Sequence, residues 1–488
     1  MSDLARGKSS LKRRTVLVVA LLGASLPASA GAAPAIYFAG PTGCSDTGPG
    51  SESQPFCTLQ RGATQLKPGD TLNLLSGTFR GPIELTAAGT AQSPIVIQAA
   101  PEAAAVIDGQ GVPLSEAGLL AVAGAKYLTL RGFTVQNSTY WCVEITKGEG
   151  VVVDDLTING CDHGGLIIGD STNVQVLGTE INRTNLCTGV CIHEALTLSN
   201  VKNFVVARCW VHHGTKEGID VKDGSANGKV HGNVVHQMAK VGIYLNHAVG
   251  VEVYDNDVHD NRQGGLQLTT GDGATGTPRV VQNRIYKNLI WKNDWDGIHF
   301  WIQAPGEMRE NLIYNNDLYG NGHAGILLDA DPTVIRDNVF RNNIFLSNQL
   351  GSIVGGPRTV NTISNNLFFK TGDPVGTTVG TDAVTGDPLF TNAPVGSFFL
   401  TAGSPAINKG YDMGLPTIGL PDIGVFEYGI NPFDGGPRET GPDARGDGTT
   451  YPDPGCGCAA GRGVDAWAEA WPLLLLGLVW AASRRLTW

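Results

Sequence analysis

The run Asn233-Val234-Val235-His236 returns 23 residues later as Asn256-Asp257-Val258-His259, and Gly242-Ile243-Tyr244-Leu245-Asn246 returns at the same interval as Gly265-Leu266-Gln267-Leu268-Thr269. A unit this short holds a few strands of three or four residues and cannot bury an apolar face without a copy stacked on it. Extending the pattern outward, a hydrophobic residue recurs at Val135, Ile158, Ile181, Val211, Val235, Val258, Ile285, Ile313, Phe340 and Phe368, at spacings of 23, 23, 30, 24, 23, 27, 28, 27 and 28. Asn233, Asn256, Asn283, Asn311, Asn338 and Asn366 stand two positions before the last six. Stacked amides can hydrogen-bond from one repeat to the next, so this column marks a structural bend. Cys209 takes the same place one repeat earlier and is expected to be a buried thiol rather than a nucleophile. A second column, Gly165, Gly218, Gly242, Gly265, Gly297 and Gly325, is followed each time by alternating apolar residues. The pattern predicts an all-β chain folded as a right-handed parallel β-helix, with coils about 4.8 Å apart.

The remaining sequence fits around this solenoid. With 66 Gly, 26 Pro and 16% charged residues in 488, the chain is too rich in turn formers for a helical bundle, and its net charge of −11 offers no field for nucleic acid. Residues 1–33 read as an export signal: Lys12-Arg13-Arg14, an apolar run from Thr15 to Leu26, and Ala28-Ser29-Ala30 as the cleavage site. Paired arginines open both ordinary and twin-arginine signals. Residues 34–69 hold a loop and, at 58–67, an amphipathic helix placed to cap the open N-terminal edge; the β-helix and its closing segment span 70–430. Residues 431–455 are a flexible linker by composition, and 456–488 carry Cys456-Gly457-Cys458, an apolar run from Trp471 to Ala482 and Arg484-Arg485. That run is short of the roughly 20 residues of a membrane span. Of nine cysteines none forms a repeated CxxC pair, and Cys44 with Cys57, Cys142 with Cys161, and more tightly Cys187 with Cys191 are candidate disulfides.

Chemistry is concentrated in Glu217-Gly218-Ile219-Asp220-Val221-Lys222-Asp223, with four charged side chains in seven residues. Aligning the coils on the Gly column gives an outward row of Ile167, Thr197, Asp220, Tyr244, Gln267, His299 and Leu327. Beside it runs a second row of Gly169, Ser199, Lys222, Asn246, Thr269, Trp301 and Asp329. Such a strip can take an extended sugar chain, with Tyr244 and Trp301 as stacking platforms and Asn246, Gln267 and His299 as polar contacts; the plain alternative is a solvated sheet face. A second cluster, Asn293 to Trp301, lies three coils away, about 14 Å. His163, His193, His212, His213, His231, His236, His247 and His259 show no ligand spacing, and Asp154-Asp155 reads as a turn.

The segments Pro68 to Leu72, Gly77-Thr78-Phe79, Gly89 to Ile95 and Val106 to Gly109 resemble the opening coils of secreted β-helix polysaccharide lyases of the pectate lyase and chondroitinase B-like class. Asp387 to Phe390, Gly403 to Ile407 and Asp422 to Tyr428 are similar to the ends of that class. The resemblance implies β-eliminative cleavage of a uronic-acid-containing glycan, with Lys222 as base and Ca²⁺ held by Glu217, Asp220 and Asp223 neutralising the substrate carboxylate. Carboxylates beside Lys222 favour its protonated form, which opposes that role unless Ca²⁺ offsets them. The Asn293 to Trp301 coil resembles in part an Asp-rich calcium coil, departing where His299 replaces an Asp. The C-terminal segment resembles myxobacterial sorting tags, which implies sorting machinery as a partner, processing at a Cys and attachment of a monomer to the cell surface; a simple membrane anchor is the alternative. A non-catalytic carbohydrate-binding or adhesive protein is the rival function, and glycoside hydrolysis on the same fold the third.

Overall fold

The computed structural model describes residues 33–189, 191, 193–271, 277–356, 358–371 and 380–430. The signal segment up to 32, the linker and the tag lie outside the described residues. Among those described, no helix is long and apolar enough to cross a membrane.

The chain winds as a right-handed parallel β-helix of about 11 turns. Each coil visits three parallel sheets, named here in the order met. Sheet A has 13 strands, from Ile36–Ala39 to Thr362–Ser364; sheet B has 13, from Gly77–Arg80 to Val384–Thr385; sheet C has 11, from Ile83–Leu85 to Gly351–Gly355. Residues alternate about each strand, so Val253 of sheet A, Val258 of sheet B and Leu266 and Leu268 of sheet C all point inward and are fully buried in one continuous core. The glycine column opens sheet C for a steric reason. A Cβ on Gly218 would stand 2.5 Å from the carbonyl oxygen of Gly242, and one on Gly297 2.6 Å from that of Gly325.

Asparagine amides bind the corners together. Between sheets A and B the Nδ2 of Asn233 donates to Oδ1 of Asn256 (2.9 Å), and the chain of bonds continues through Asn288, Asn316 and Asn343 to Asn366. Cys209 heads this corner, its N–H donating to Asn233 Oδ1, and burial pushes its thiol up to about 12. The single Asn column expected from sequence is in fact two. Asn283, Asn311 and Asn338 form a separate ladder ending at Asn361, at the entry to sheet A. The physical reason is an added three-stranded sheet, Arg279–Val281, Glu307–Arg309 and Ile335–Arg336, which lengthens each later coil and makes a new corner. Ile285 and Ile313 therefore belong to sheet A, whereas Val235, Val258 and Phe368 belong to sheet B. A third ladder, Asn261, Asn293, Asn321 and Asn348, turns the chain from sheet B into sheet C.

The capping helix is shorter than the sequence suggests. It spans Leu59–Ala63, starts where Thr58 accepts a hydrogen bond from the Arg61 amide, and buries Leu59 against the first coils. Three disulfides form, Cys44–Cys57, Cys142–Cys161 and Cys187–Cys191, as the spacing suggested. The segment after 389 forms an antiparallel hairpin, Phe390–Asn392 with Ser397–Leu400. It then lies along the flank of sheet B, where Phe398 and Val425 pack with Leu289, Trp291 and Leu346. Asn315 donates to the Gly424 carbonyl (2.9 Å).

Each interior ladder amide satisfies four groups. Asn288→Ala would strip partners from the Asn256 amide groups, the Val253 carbonyl and Asn316, so a loss of about 3 kcal/mol is expected, read as a lower midpoint in urea unfolding at unchanged slope.

Candidate functional site

Sheet C holds the two outward rows in the expected register. Thr197, Asp220, Tyr244, Gln267 and His299 are successive partners, and so are Ser199, Lys222, Asn246, Thr269 and Trp301. The two ends of this strip differ in access.

The end near Lys222 is closed. The longer coil between Ile181 and Val211 carries Glu194 over sheet C, and its Oε2 meets Lys222 Nζ at 2.7 Å and accepts from Thr197 Oγ1 at 2.7 Å. Lys222 also reaches Asp220 at 3.3 Å, and Lys216 approaches Glu194 at 3.7 Å. Burial opposes the ionised form of Glu194, but the Lys222 ammonium and the bonds from Lys222 and Thr197 outweigh it and hold the carboxyl below its usual range. Asp220 is 2% exposed. Burial drives its pKa well upward, and Lys222 offsets this only in part. For Lys222 burial alone would lower the pKa, yet Asp220 and Glu194 raise it. The ammonium therefore persists to strongly alkaline pH, and in this environment Lys222 serves poorly as a base. Glu194 carried no signal in the sequence beyond the irregular spacing of 30 around it.

The three carboxylates expected to share a calcium ion are drawn apart. Asp220 is bound to Lys222, Glu217 pairs with Lys240 at 3.4 Å, and Asp223 accepts a hydrogen bond from Ser199 at 2.7 Å. Glu217 precedes the strand and Asp223 leaves it at positive φ (54°), so the two diverge from the sheet face. Among the described residues no group of three or more His, Cys, Asp or Glu is arranged to hold a metal ion. The donor set does not fit calcium, and no step below is routed through it.

Tyr244 and Gln267, expected to touch substrate, face outward but are 8% and 7% exposed. Burial, with the charge of Asp220, pushes the Tyr244 phenol upward. Asn246 is half-buried and accepts from the Gly271 amide. Trp301 is the expected platform that remains open, at 38%.

At this open end the sequence understated the site. His299 lies 3.3 Å by Nε2 from Asp329 Oδ1 and 3.8 Å by Nδ1 from Asp296 Oδ2. Burial works against ionisation of Asp329, but bonds from His299 and the Ile302 amide hold it below the usual range. Asp296 is buried, and its other oxygen accepts from His323 Nδ1 (2.7 Å) and from the Ala324 amide (3.0 Å). Trp295 is 59% exposed. His323 lies one coil beyond the cluster that the sequence singled out, and Trp295 lay within it without being assigned a role. Three of the other histidines stack on sheet B, where the rings of His212, His236 and His259 run parallel at 5.3 and 5.1 Å between Trp210 and Trp291.

The right-handed beta helix region family matches residues 117–290 and 276–392, more than half of the chain. The chain belongs to the right-handed β-helix family. In this β-helix, residues 37–190 also match the Pel9A-like right-handed beta helix region. The solved pectate lyase Pel9A is similar at 16% identity over 81% of this chain and 97% of its own, with a TM-score of 0.55, a likeness of fold alone. A rhamnogalacturonan lyase (16% identity, 68% and 87% covered, TM-score 0.47) and PfbA, a surface adhesin of Streptococcus pneumoniae (12%, 66% and 84%, 0.45), are similar more loosely. No curated protein sequence matches the chain.

Removing Lys222 would leave two buried carboxylates facing each other with only the more distant Lys216 beside Glu194. Lys222→Ala is expected to lose about 3–5 kcal/mol of stability, measured by thermal or urea unfolding, and Glu194→Gln with Asp220→Asn in the same chain to restore most of it.

Proposed function

We propose that this β-helix is an exported, surface-attached protein that binds an extended uronic-acid-containing polysaccharide along sheet C and cleaves it by β-elimination. The observation that carries the proposal is the strip itself. Consecutive coils set polar side chains in register about 4.8 Å apart, running from a closed ionic centre at Lys222 to an open end with two exposed tryptophans. A sugar chain laid across the open end stacks its rings on Trp295 and Trp301, at the two ends of one coil's strand, and meets His299 between them. The likeness in fold to a pectate lyase supports the same choice of substrate class, and three disulfides fit an oxidising compartment outside the cytosol.

β-Elimination needs a base for the proton next to the carboxylate and a positive group for the charge that builds there. Lys222, bound by Glu194 and Asp220, acts here as a positioning residue that holds the closed end of the strip rather than as the base. The burial of that centre also favours the second reading, a carbohydrate-binding or adhesive protein without catalysis.

The two are separated by incubating the full chain with polygalacturonate, alginate and glycosaminoglycans, with and without Ca²⁺, and following the absorbance of unsaturated uronates. Appearance of that absorbance on one polymer is expected. Binding to a polymer with no absorbance change on any would establish the non-catalytic reading, and a strict need for Ca²⁺ would mean ligands other than Glu217, Asp220 and Asp223.

A further inference from the structure

We propose that His323, oriented by Asp296, is the base that takes the substrate proton, and that Arg262 holds the uronate carboxylate; this rests on the polysaccharide reading above and names the chemistry of its open end. The geometry of the pair is that of a carboxylate and imidazole set for proton transfer. Asp296 is buried at the turn between sheets B and C, one coil before His323. Because its Oδ1 accepts from His323 Nδ1, the proton of the neutral ring sits on Nδ1 and the lone pair on Nε2. The His323 side chain is 41% exposed, so a substrate can approach this imidazole, whereas Lys222 is 14% exposed and already paired with two acids.

The frame around the pair is rigid. The backbone N–H of His323 donates to Trp295 and its carbonyl accepts from Leu350, while Asn321, two residues before, is part of a buried amide ladder. Asp296 is fixed in turn by the Ala324 amide. This over-determination of one acid and one imidazole is more than a solvated turn requires.

Along the same turn the coils place Gln263, Trp295 and His323 in sequence, joined by the bonds from Trp295 N–H to the Gln263 carbonyl (2.7 Å) and from His323 N–H to the Trp295 carbonyl (3.1 Å). Arg262, beside Gln263, is exposed, and no ion pair or side-chain hydrogen bond engages it among the described residues. It stands two coils, about 10 Å of backbone, from His323, within the combined reach of a guanidinium and a uronate ring. Arginine is suited to this task because its fork binds a carboxylate in two bonds. With the ring seated on Trp295, the step balances as follows. His323 Nε2 takes the proton from the carbon bearing the carboxylate, the electron pair of that C–H bond becomes the new carbon–carbon double bond, and the bond from the neighbouring carbon to the glycosidic oxygen breaks. The departing oxygen takes a proton from water, and His323 returns its own to solvent.

The test uses the full chain on the polymer that it cleaves in the panel above, with kcat, KM and polymer binding measured for His323→Ala and Asp296→Asn. General-base loss predicts a fall in kcat on the order of 100-fold or more for His323→Ala, with binding retained and partial rescue by added imidazole. Asp296→Asn keeps an oxygen for the Ala324 amide and is expected to lower kcat while leaving KM near that of the unaltered chain, a split that a merely structural acid would not give. Arg262→Gln is expected to raise KM as well as lower kcat. Cleavage by His323→Ala within a few-fold of the unaltered chain, the protein remaining folded, overturns the assignment and leaves the lyase function standing. Binding without cleavage by the unaltered chain overturns both.

Discussion

Backbone groups at the corners of a solenoid have no strand partner, and the amide ladders answer that constraint. Each interior asparagine in the ladder between sheets A and B donates to a carbonyl of the preceding coil and to the next asparagine, and accepts from the coil before it. A buried amide without those partners would cost on the order of 1–3 kcal/mol, so each rung needs its neighbour in one position only. A slip by one residue would break a whole ladder and turn the outward rows of sheet C into the core. The ladders thereby fix the register on which everything at the surface depends.

Register alone places side chains in rows; access decides what the rows can do. The coil that carries Glu194 covers one end of the strip and converts Asp220 and Lys222 into a neutralised buried centre. At the other end Trp295 and Trp301 stay open, at the two ends of the strand that carries His299. A long polymer would suit such an arrangement, because one chain lying across the open end could be gripped at both exposed rings while the closed centre keeps the sheet face rigid. The substrate-sized feature is therefore the row of coils rather than any one cavity.

Much of this was legible in the sequence because it is periodic. The inward residues, the glycine column, the three disulfides and both outward rows follow from spacing, and the residues predicted to stand beside one another do so. What was not legible is non-periodic. The Asn column merged two corners, because the added strand Arg279–Val281 lengthens the coil by nearly the distance between them. Asp220, Tyr244 and Gln267 alternate correctly yet are buried, and at Asp220 the cover comes with a coil, that of Glu194, which has no repeat. Glu194 and His323 lie in turns, where spacing carries no message about direction, and only the fold brings them to Lys222 and Asp296.

The central claim is that an acidic sugar chain runs along sheet C at its open end. A crystal structure of the protein with a bound oligouronate tests it most directly. The account predicts density on sheet C at its open end, with sugar rings against Trp301 and Trp295 and one uronate between Arg262 and His323; an oligosaccharide seated on sheet A or sheet B, with this strip bare, would contradict it.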